Sequence, residues 1–324
     1  MRDHGGNLDW AMQHHGGAAE DWIDLSTGIN PVPYPVPEID AHSWQALPTR
    51  ADMAALEAAA QAAYGTRAAA VPLAGAQAAI QLVPKLVPSG HAKVLAPTYN
   101  EHAAVLRDCG WQVEEVAEPA ALAGADLAVV VNPNNPDGRR YRPDALLALA
   151  PKVRLLVVDE SFADPEPGLS MAGSIGPESE GLVVLRSFGK FYGLAGLRLG
   201  FALTGKGLAG RLRSMAGPWP VCGPAIAIGR KALPDRDWHR ATCERLDADA
   251  ARLDALASGA GWRLVGGTPL FRTYEAGDAG AAQERLARVR IWSRIFPYSG
   301  SWLRLGMAAG EAEWARLASA LSGD

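Results

Sequence analysis

Hydrophobic and polar positions along the chain fall into two alternating patterns. Alanine-rich segments carry apolar residues at the spacing of a helix face, and between them lie short runs of valine and leucine that lack this period. Such an alternation is typical of helices that connect the strands of a mostly parallel sheet. The apolar runs predict strands over residues 71–73, 94–96, 127–131, 155–158, 182–186 and 197–203.

The first long helix is signalled at both of its ends. Thr49 stands three residues before Asp52, which is an acidic form of the capping box, and Gly65 follows Tyr64 where the apolar periodicity stops. We therefore predict a helix that opens at Thr49 and ends at Tyr64. A second helix, over residues 78–83, follows the predicted strand that ends at residue 73.

The pattern changes after residue 217. Prolines and glycines interrupt the chain over residues 218–224, and a long amphipathic helix at about residues 238–258 follows them. The predicted domains are an N-terminal segment (1–40), a large domain (41–217) and a smaller C-terminal domain (218–324). The smaller domain is predicted as an α+β layer with strands at 262–265, 270–274 and near Ile291 and Leu303, and helices at 279–288 and 311–321.

Composition narrows the class of protein. The 324 residues, 48% of them hydrophobic, can bury a large core and rule out a peptide hormone. With 31 basic and 35 acidic side chains the net charge is −4, which gives no general electrostatic reason to bind nucleic acid. Three cysteines without paired spacing argue against a disulfide framework or a zinc site, so we expect no metal and a reducing cytoplasm. Neither a leader peptide nor a membrane span is expected.

Four polar motifs follow strand-forming runs in order along the chain. Ligands bind outside the carboxyl ends of strands in sheets of this kind, so we expect a ligand site there. Taken singly, a lysine beside a glycine is most often a surface charge, and an aspartate after a strand is most often a cap. The motifs are Asn132–Gly138 (NPNNPDG), Asp159–Ser161 (DES), Ser187–Lys190 (SFGK) and Gly196–Gly200 (GLRLG).

The order and spacing of these motifs resemble the fold-type I pyridoxal phosphate enzymes of the aminotransferase class I/II group. The resemblance extends over nearly the whole chain, from His4 to about Arg304. It implies an α/β fold in which a large domain with a mostly parallel seven-stranded sheet precedes a small α+β C-terminal domain. It also implies pyridoxal 5'-phosphate as the cofactor and a homodimer as the assembly.

The resemblance assigns roles to individual residues. Lys190 would form the Schiff base with the cofactor, Asp159 would keep the ring nitrogen protonated, and Asn135 would donate to the phenolate oxygen. Lys190 and Asp159 are therefore the predicted catalytic residues. The other predicted cofactor ligands are the backbone N–H groups of Gly75, Ala76 and Gln77, the ring of Tyr99, and Ser187 and Arg198 at the phosphate.

Two further segments look like the L-threonine O-3-phosphate decarboxylases of cobalamin biosynthesis. They are His4–Asn7 (HGGN) and Asp24–Pro31 (DLSTGINP). Two arginines lie where relatives bind the substrate's carboxylate and phosphate, and which of them binds which anion is left open. The predicted substrate ligands are His4, Gly28, Asn30, Asn135, Arg294 and Arg304.

The activity implied is decarboxylation of L-threonine O-3-phosphate to (R)-1-amino-2-propanol O-2-phosphate. The alternatives are an aminotransferase for a phosphorylated substrate such as histidinol phosphate, a pyridoxal-phosphate-binding regulatory domain, and a scaffold without cofactor. A regulatory domain is expected to carry a helix-turn-helix module, yet the residues before the large domain are not basic. Two positions depart from the aminotransferase pattern: Phe162 and Leu47 each replace a tyrosine that contacts the cofactor or its phosphate.

Overall fold

A computed structural model describes residues 5–322 of the chain. The α-helices of these residues are α1 (Leu8–His15), α2 (His42–Gln45), α3 (Arg50–Tyr64), α4 (Ala76–Leu82), α5 (Glu101–Asp108), α6 (Pro143–Leu149), α7 (Phe188–Phe191), α8 (Lys206–Ala216), α9 (Gly223–Ala232), α10 (Arg236–Gly259), α11 (Ala279–Arg288) and α12 (Glu311–Ser322). The strands are β1 (Ile23–Asp24), β2 (Ala69–Leu73), β3 (His91–Leu95), β4 (Gln112–Val116), β5 (Leu127–Val131), β6 (Leu156–Asp159), β7 (Leu182–Ser187), β8 (Gly200–Thr204), β9 (Arg263–Thr268), β10 (Phe271–Glu275), β11 (Ile291–Trp292), β12 (Arg294–Phe296) and β13 (Ser299–Gly306).

The residues group into two compact units, which we call the larger unit and the smaller unit. The larger unit comprises residues 33–135 and 140–238, and the smaller unit comprises residues up to 32, residues 136–139 and residues from 239 onward. The units divide the chain after residues 32 and 238, whereas the sequence predicted divisions after residues 40 and 217. The segment beyond residue 217 groups with the larger unit because α9 packs against α2 and α3.

The larger unit is built on a seven-stranded sheet in the order β2-β8-β7-β6-β5-β3-β4. Strand β8 runs antiparallel to both of its neighbours, and the other pairs are parallel. Every residue of β5, β6 and β7 is buried, as expected where helices cover both faces of a parallel sheet. One face packs on a cluster that includes Ile80, Leu106 and Leu212. The predicted α/β fold with a mostly parallel seven-stranded sheet is confirmed.

The predicted capping box is present at the start of α3. Oγ1 of Thr49 accepts a hydrogen bond from the N–H of Asp52 at 3.1 Å, and the Asp52 carboxylate accepts one from the N–H of Thr49 at 3.0 Å. Gly65 ends the helix in the left-handed region, with a φ of 62°. Each of these three residues has the conformation that its type favours, which explains why the helix was predictable.

Two strands of the larger unit depart most from the sequence prediction. The strand predicted from residue 197 begins only at Gly200, because residues 195–197 form a 3-10 turn and Arg198 takes a left-handed conformation. Strand β4 was not predicted, because it is an edge strand with three polar residues and mostly unburied positions. An edge strand needs no apolar alternation, so it carries a weak pattern.

The smaller unit contains an antiparallel four-stranded sheet, β12-β13-β10-β9, and a separate parallel pair of β1 with β11. The order of strands and helices after α10 is that of the predicted α+β layer, with one additional short strand, β12. The N-terminal segment joins this unit through β1 and through an apolar cluster of Ala11, Trp22, Ala287 and Trp292. Over residues 5–322, no helix is both long enough and apolar enough to cross a membrane.

Candidate functional site

Several loops of the larger unit leave the same edge of its sheet. Strands β2, β3, β5, β6 and β7 run in one direction, so the segments that follow them begin at one side. The antiparallel β8 brings Gly200 to this edge as well, level with Leu73 and Ser187 in the register. The predicted cofactor ligands all lie on or next to these strand ends: Gly75, Ala76, Gln77, Tyr99, Asn135, Asp159, Ser187, Lys190 and Arg198.

A glycine and an arginine form a cradle at the start of α4. Gly75 has a φ of +79°, and a Cβ atom at this position would lie 2.7 Å from a guanidinium nitrogen of Arg198. Arg198 has a left-handed backbone with a φ of 55°, and its Nη1 donates to the carbonyl oxygen of Ala195 at 2.9 Å. Gly200 lies so close that a Cβ there would be 2.5 Å from the backbone nitrogen of Ala76. A helix start without side-chain bulk and beside a cation suits a phosphate group.

Asp159 ends β6 next to His102, a residue that was not predicted. Its Oδ2 lies 2.8 Å from Nε2 of His102, and its Oδ1 accepts from the backbone N–H of Ser161 at 3.0 Å and from the Ser161 hydroxyl at 2.5 Å. Burial works to raise the pKa of Asp159, but the hydrogen bond and charge of His102 and the two hydrogen bonds from Ser161 outweigh burial and lower this pKa. The carboxylate is therefore ionised at neutral pH and suited to holding a proton on a ring nitrogen.

Tyr99 is held by a short chain of hydrogen bonds. Its hydroxyl donates to Oε1 of Gln77 at 3.2 Å, and Nε2 of Gln77 donates to Oε2 of the buried Glu101 at 2.8 Å. The side chain of Gln77 therefore positions the ring of Tyr99. The backbone N–H of Gln77 lies in the first turn of α4, at the helix start where the sequence predicted it to bind the cofactor phosphate.

The loop that carries Asn135 is tied to the loop that carries Tyr99. Thr98 Oγ1 donates to Oδ1 of Asn134 at 2.6 Å, and Nδ2 of Asn134 donates to the carbonyl oxygen of Pro97 at 2.9 Å. These bonds join the segments after β3 and β5. They hold two predicted cofactor ligands in neighbouring loops: Tyr99, predicted to stack on the cofactor ring, and Asn135, predicted to donate to its phenolate oxygen.

Lys190 lies on the one-turn helix α7 directly after β7. Its Nζ lies 5.8 Å from the centre of the Phe162 ring. Phe188 and Phe191 on either side of it are fully buried and anchor the helix. Lys190 as a residue is half-buried, and its helix begins at the same sheet edge at which Asp159 ends β6.

A buried ion cluster lies between β6 and β7. Arg186 donates to Glu160 at 2.9 Å and to Asp164 at 2.8 Å. Burial works against the charge of Arg186, but the two carboxylates outweigh it and raise the pKa of this arginine. Because Glu160 follows Asp159 and Arg186 precedes Ser187, the cluster fixes the backbone of two predicted cofactor ligands.

Two arginines face each other in the smaller unit. Arg294 of β12 is the register partner of Arg304 of β13, so their side chains share one face of the sheet. Arg304 is 6% exposed, and its Nη2 donates to the carbonyl oxygen of Ser26 at 2.6 Å. Burial and the charge of Arg294 lower the pKa of Arg304 to about 10, so it is still protonated at neutral pH. Opposed like charges destabilise a sheet, and an arrangement of this kind suits the binding of an anion.

Of the other predicted substrate ligands, Gly28 and Asn30 belong to the N-terminal part of the smaller unit, whereas Asn135 belongs to the larger unit. Asn30 is buried, and its Oδ1 accepts from the N–H of Val32 at 3.1 Å and from Arg245 at 2.6 Å. Gly28 is buried as well. His4 lies outside the described residues.

Comparison with known proteins identifies the family. A family model described as aminotransferase class I and II matches residues 20–321. The chain belongs to this family. It is 44% identical to a threonine-phosphate decarboxylase of Sinorhizobium sp. over 326 residues, which cover 98% of this chain and 97% of the relative. A threonine-phosphate decarboxylase of Pseudomonas aeruginosa is also 44% identical, over 330 residues that cover 100% of this chain and 98% of the relative.

Solved structures of low sequence identity share the fold of this aminotransferase class I and II protein. A histidinol-phosphate aminotransferase from Sinorhizobium meliloti, in complex with pyridoxal-5'-phosphate, superposes with a TM-score of 0.84 at 20% identity and covers 97% of this chain and 93% of its own. An L-threonine-O-3-phosphate decarboxylase from Porphyromonas gingivalis has a TM-score of 0.70 at 20% identity, with 92% and 98% covered.

The site residues of this aminotransferase class I and II chain fit pyridoxal phosphate. The cradle at Gly75, which a Cβ atom would fill, matches a phosphate beside Arg198. The ionised Asp159 matches a protonated ring nitrogen, and Lys190 provides an amine at the same sheet edge. These are the three features that the cofactor's phosphate, ring nitrogen and aldehyde require.

Several residues that support the site were not predicted from the sequence. The sequence assigned no role to His102 or Ser161, although Ser161 belongs to the DES motif and His102 lies three positions after Tyr99. Arg245 carried no local signal, because it lies 215 residues from its partner Asn30.

Proposed function

We propose that the chain is a pyridoxal-phosphate-dependent decarboxylase that converts L-threonine O-3-phosphate to (R)-1-amino-2-propanol O-2-phosphate in cobalamin biosynthesis. The observation that carries this proposal is the 44% identity, over nearly the whole chain, with two threonine-phosphate decarboxylases. The opposed arginines of the smaller unit support it, since this substrate brings both a carboxylate and a phosphate.

In the larger unit, the residues at the sheet edge would hold the cofactor. The start of α4 and the guanidinium of Arg198 would bind its phosphate, with Ser187 beside them. Asn135 would donate to its ring oxygen, and Nζ of Lys190 would hold it covalently. When bound, pyridoxal phosphate supplies an electron-accepting ring that stabilises negative charge at the substrate α-carbon.

Asp159 would keep the proton on the ring nitrogen. His102 and Ser161 hold its carboxylate in the ionised form, and their hydrogen bonds also fix the direction of its two oxygens. Tyr99, held by Gln77, would cover one face of the ring. The chain thus contributes a preorganised negative charge and an aromatic surface.

In the smaller unit, Arg294 and Arg304 would bind the two anionic groups of the substrate, together with Gly28, Asn30 and His4. Holding both anions orients the substrate so that its bond to the carboxylate, rather than its bond to the α-hydrogen, is the one that breaks. The electron pair of that bond stays at the α-carbon and CO₂ leaves. Nζ of Lys190 then donates the proton that completes the new C–H bond.

The test is a product assay with purified protein, pyridoxal phosphate and L-threonine O-3-phosphate. We expect stoichiometric CO₂ and the phosphorylated amino alcohol, identified by mass spectrometry, and no product from the Lys190→Ala variant. Because the chain is also similar to histidinol-phosphate aminotransferases, a second assay tests it for aminotransferase activity. Histidinol phosphate with 2-oxoglutarate should yield glutamate only at background, and faster glutamate formation than CO₂ release would overturn the proposal.

The assembly that we propose is a homodimer formed through the larger unit. A groove of about 790 Å³ lies between the start of α3 and the end of α8, and Trp219 lines it. Trp219 is 54% exposed, and Trp44 and Leu47, just before the groove residue Pro48, are 69% and 64% exposed. Large apolar side chains exposed beside a groove are typical of a surface that binds another protein chain. Sedimentation should give a dimer that Trp219→Asp weakens, whereas a wild-type monomer at micromolar concentration would contradict it.

We also propose a cytoplasmic location. Cys109, Cys222 and Cys243 form no disulfide in the structure, which suits a reducing compartment. Cell fractionation against a periplasmic marker tests this, and recovery with the marker would refute it.

A further inference from the structure

We propose that Asp24 is a positioning residue for the substrate anion that Arg304 binds. It acts through Ser26, whose carbonyl oxygen holds the guanidinium of Arg304. The inference deepens the function proposed above and rests on it. All three residues belong to the smaller unit, and Asp24 and Ser26 lie in the DLSTGINP motif of residues 24–31.

Two neighbours hold the guanidinium of Arg304. Its Nη2 donates to the carbonyl oxygen of Ser26 at 2.6 Å, and its Cζ lies 5.1 Å from the centre of the fully buried Phe271 ring. The hydrogen bond fixes one N–H direction of the guanidinium, and the aromatic face limits the tilt of its plane. The position of the Ser26 carbonyl therefore decides the direction in which Arg304 presents its donors to an anion.

The side chain of Asp24 fixes the backbone of Ser26. Oδ1 of Asp24 accepts hydrogen bonds from the N–H of Ser26 at 2.9 Å and from its hydroxyl at 2.5 Å. Ser26 is 1% exposed, so water cannot replace this acceptor when the carboxylate is removed. Ser26 would turn to regain an acceptor for its buried N–H group, and its carbonyl oxygen would turn with it.

The backbone next to Ser26 is fixed independently of this carboxylate. The N–H of Leu25 donates to the carbonyl oxygen of Trp292 at 2.8 Å, and the carbonyl oxygen of Leu25 accepts from the N–H of Gly306 at 2.7 Å. These bonds use main-chain groups alone, so they persist when the side chain at position 24 is changed. We therefore expect variants of Asp24 to fold and to lose only the hold on Ser26.

The two glycines of the HGGN motif pack on the same serine. The N–H of Gly6 donates to Oγ of Ser26 at 2.7 Å. A Cβ atom on Gly5 would clash with the carbonyl oxygen of Ser26 and would lie 3.6 Å from Nη2 of Arg304. Only a residue without a side chain fits there. The HGGN and DLSTGINP motifs therefore meet at the carbonyl group that holds Arg304.

Orientation and charge predict opposite effects for Asp24. Burial lowers the pKa of Arg304 most, and the charge of Asp24 is among those that act to raise it. The same negative charge repels an anion, so its removal by itself would strengthen anion binding. Loss of the acceptor oxygen that holds Ser26 would weaken anion binding. An asparagine at position 24 separates the two effects, because it is neutral and keeps an acceptor oxygen.

The experiment compares Asp24→Ala and Asp24→Asn with the wild-type holoenzyme. Titration calorimetry measures the binding of inorganic phosphate and of acetate, and Arg304→Met identifies which of these anions depends on Arg304. We expect Asp24→Ala to raise the Kd of that anion by about tenfold and to lower kcat/KM for L-threonine O-3-phosphate by a similar factor, with the cofactor absorbance unchanged. Asp24→Asn should bind the anion at least as tightly as the wild type.

Two matched pairs separate positioning from a general loss of stability. Gly5→Ala should raise the same Kd, whereas Gly310→Ala, whose added carbon meets no atom within 4 Å, should leave it unchanged. Asp278→Ala is the control for Asp24→Ala. It removes a carboxylate that accepts from the N–H of Ala281 at 2.9 Å at the start of α11, and it should lower stability without changing the Kd.

A double-mutant cycle connects the effect to Arg304. In an Arg304→Met background, Asp24→Ala should cause no further loss of anion affinity, because the group that it positions is absent. Three results would overturn the inference: wild-type or tighter binding in Asp24→Ala, an equal loss in Asp24→Asn, or a full additional loss in the Arg304→Met background. Wild-type binding of both anions by Arg304→Met would overturn it as well.

The failure of this inference is distinguishable from the failure of the proposed function. Anion binding is measured without turnover, so absence of CO₂ release with the expected binding results would count against the proposed function alone. Normal CO₂ release by the wild type with unchanged anion binding in Asp24→Ala would count against the role of Asp24 alone.

Discussion

Nε2 of His102 lies 2.8 Å from Oδ2 of Asp159, and both side chains are buried. His102 belongs to α5, after β3, and Asp159 ends β6, so two separate segments of the sheet edge meet in this pair. Burial by itself would favour a neutral carboxyl group. The contact with His102 reverses this and gives the site a fixed negative charge.

Removal of His102 should move the acid limb of the pH profile. In His102→Phe, burial is no longer outweighed by the histidine, so the pKa of Asp159 should rise and the acid limb of kcat/KM should move to higher pH. We expect activity at neutral pH to fall by about tenfold or more. His102→Gln can still donate to the carboxylate and should keep the limb near its wild-type position. An unmoved limb in the Phe variant would contradict the assignment.

The ionised Asp159 should also make stability depend on pH. Its folded pKa lies below the ordinary value of 3.8, so its contribution is fully present above that value and is lost as the pH falls through the folded pKa. Asp159→Asn lacks this contribution. Urea unfolding of both apoproteins should show a gap of about 1–3 kcal/mol at pH 6 that shrinks below pH 4. A gap that grows on acidification would refute the sign of the shift.

Cofactor affinity should depend on the space at Gly75. Gly75→Ala introduces a Cβ atom 2.7 Å from the Arg198 guanidinium at a φ of +79°, so we expect weaker binding of pyridoxal phosphate, by about tenfold or more. Gly65→Ala is the matched control, since it has a φ of +62° with no atom within 4 Å of the added carbon. It should lower stability without changing the dissociation constant of the cofactor. Equal affinity losses in both variants would rule out the cradle.

Arg304 should govern substrate affinity and not cofactor binding. Arg304→Met removes a buried charge, and kcat/KM for L-threonine O-3-phosphate should fall by about 10²–10³ while the cofactor absorbance is retained. Arg290→Met, which removes an exposed ion pair with Asp21 at 3.0 Å in the same unit, serves as the control and should leave kcat/KM unchanged. Loss of the cofactor spectrum in Arg304→Met would assign the residue a different role.

Phe162 offers a test of the departure from the aminotransferase pattern. Its ring centre lies 5.8 Å from Nζ of Lys190, and Phe162→Tyr would add a hydroxyl donor near the amine. A hydrogen bond to the cofactor's ring oxygen would stabilise negative charge there and weaken the hold on the neighbouring proton. The pH midpoint of the bound cofactor's absorbance change should therefore fall in Phe162→Tyr and not in Phe162→Leu. A rise in the tyrosine variant would contradict this.

Local chemistry explains which parts of the fold were predictable. Each feature that was predicted correctly depends on a few consecutive residues. These features are the capping box of Thr49 and Asp52, the fully buried strands β5, β6 and β7, and the polar motifs that follow them. The exposed edge strand β4 was missed because its local pattern was weak. The start of β8 was placed too early because the turn before Gly200 continues the apolar pattern of the strand.

The amino-acid sequence by itself determined the alternation of strands and helices and the order of the polar motifs, because these follow from short-range periodicity and residue type, and the resemblance of those motifs to known enzymes indicated the family. Only the tertiary structure decided that His102 meets Asp159, that Arg294 faces Arg304, and that Arg245 donates a hydrogen bond to the amide oxygen of Asn30. Those pairs depend on sheet order, strand register and the packing of distant segments, which no local pattern encodes.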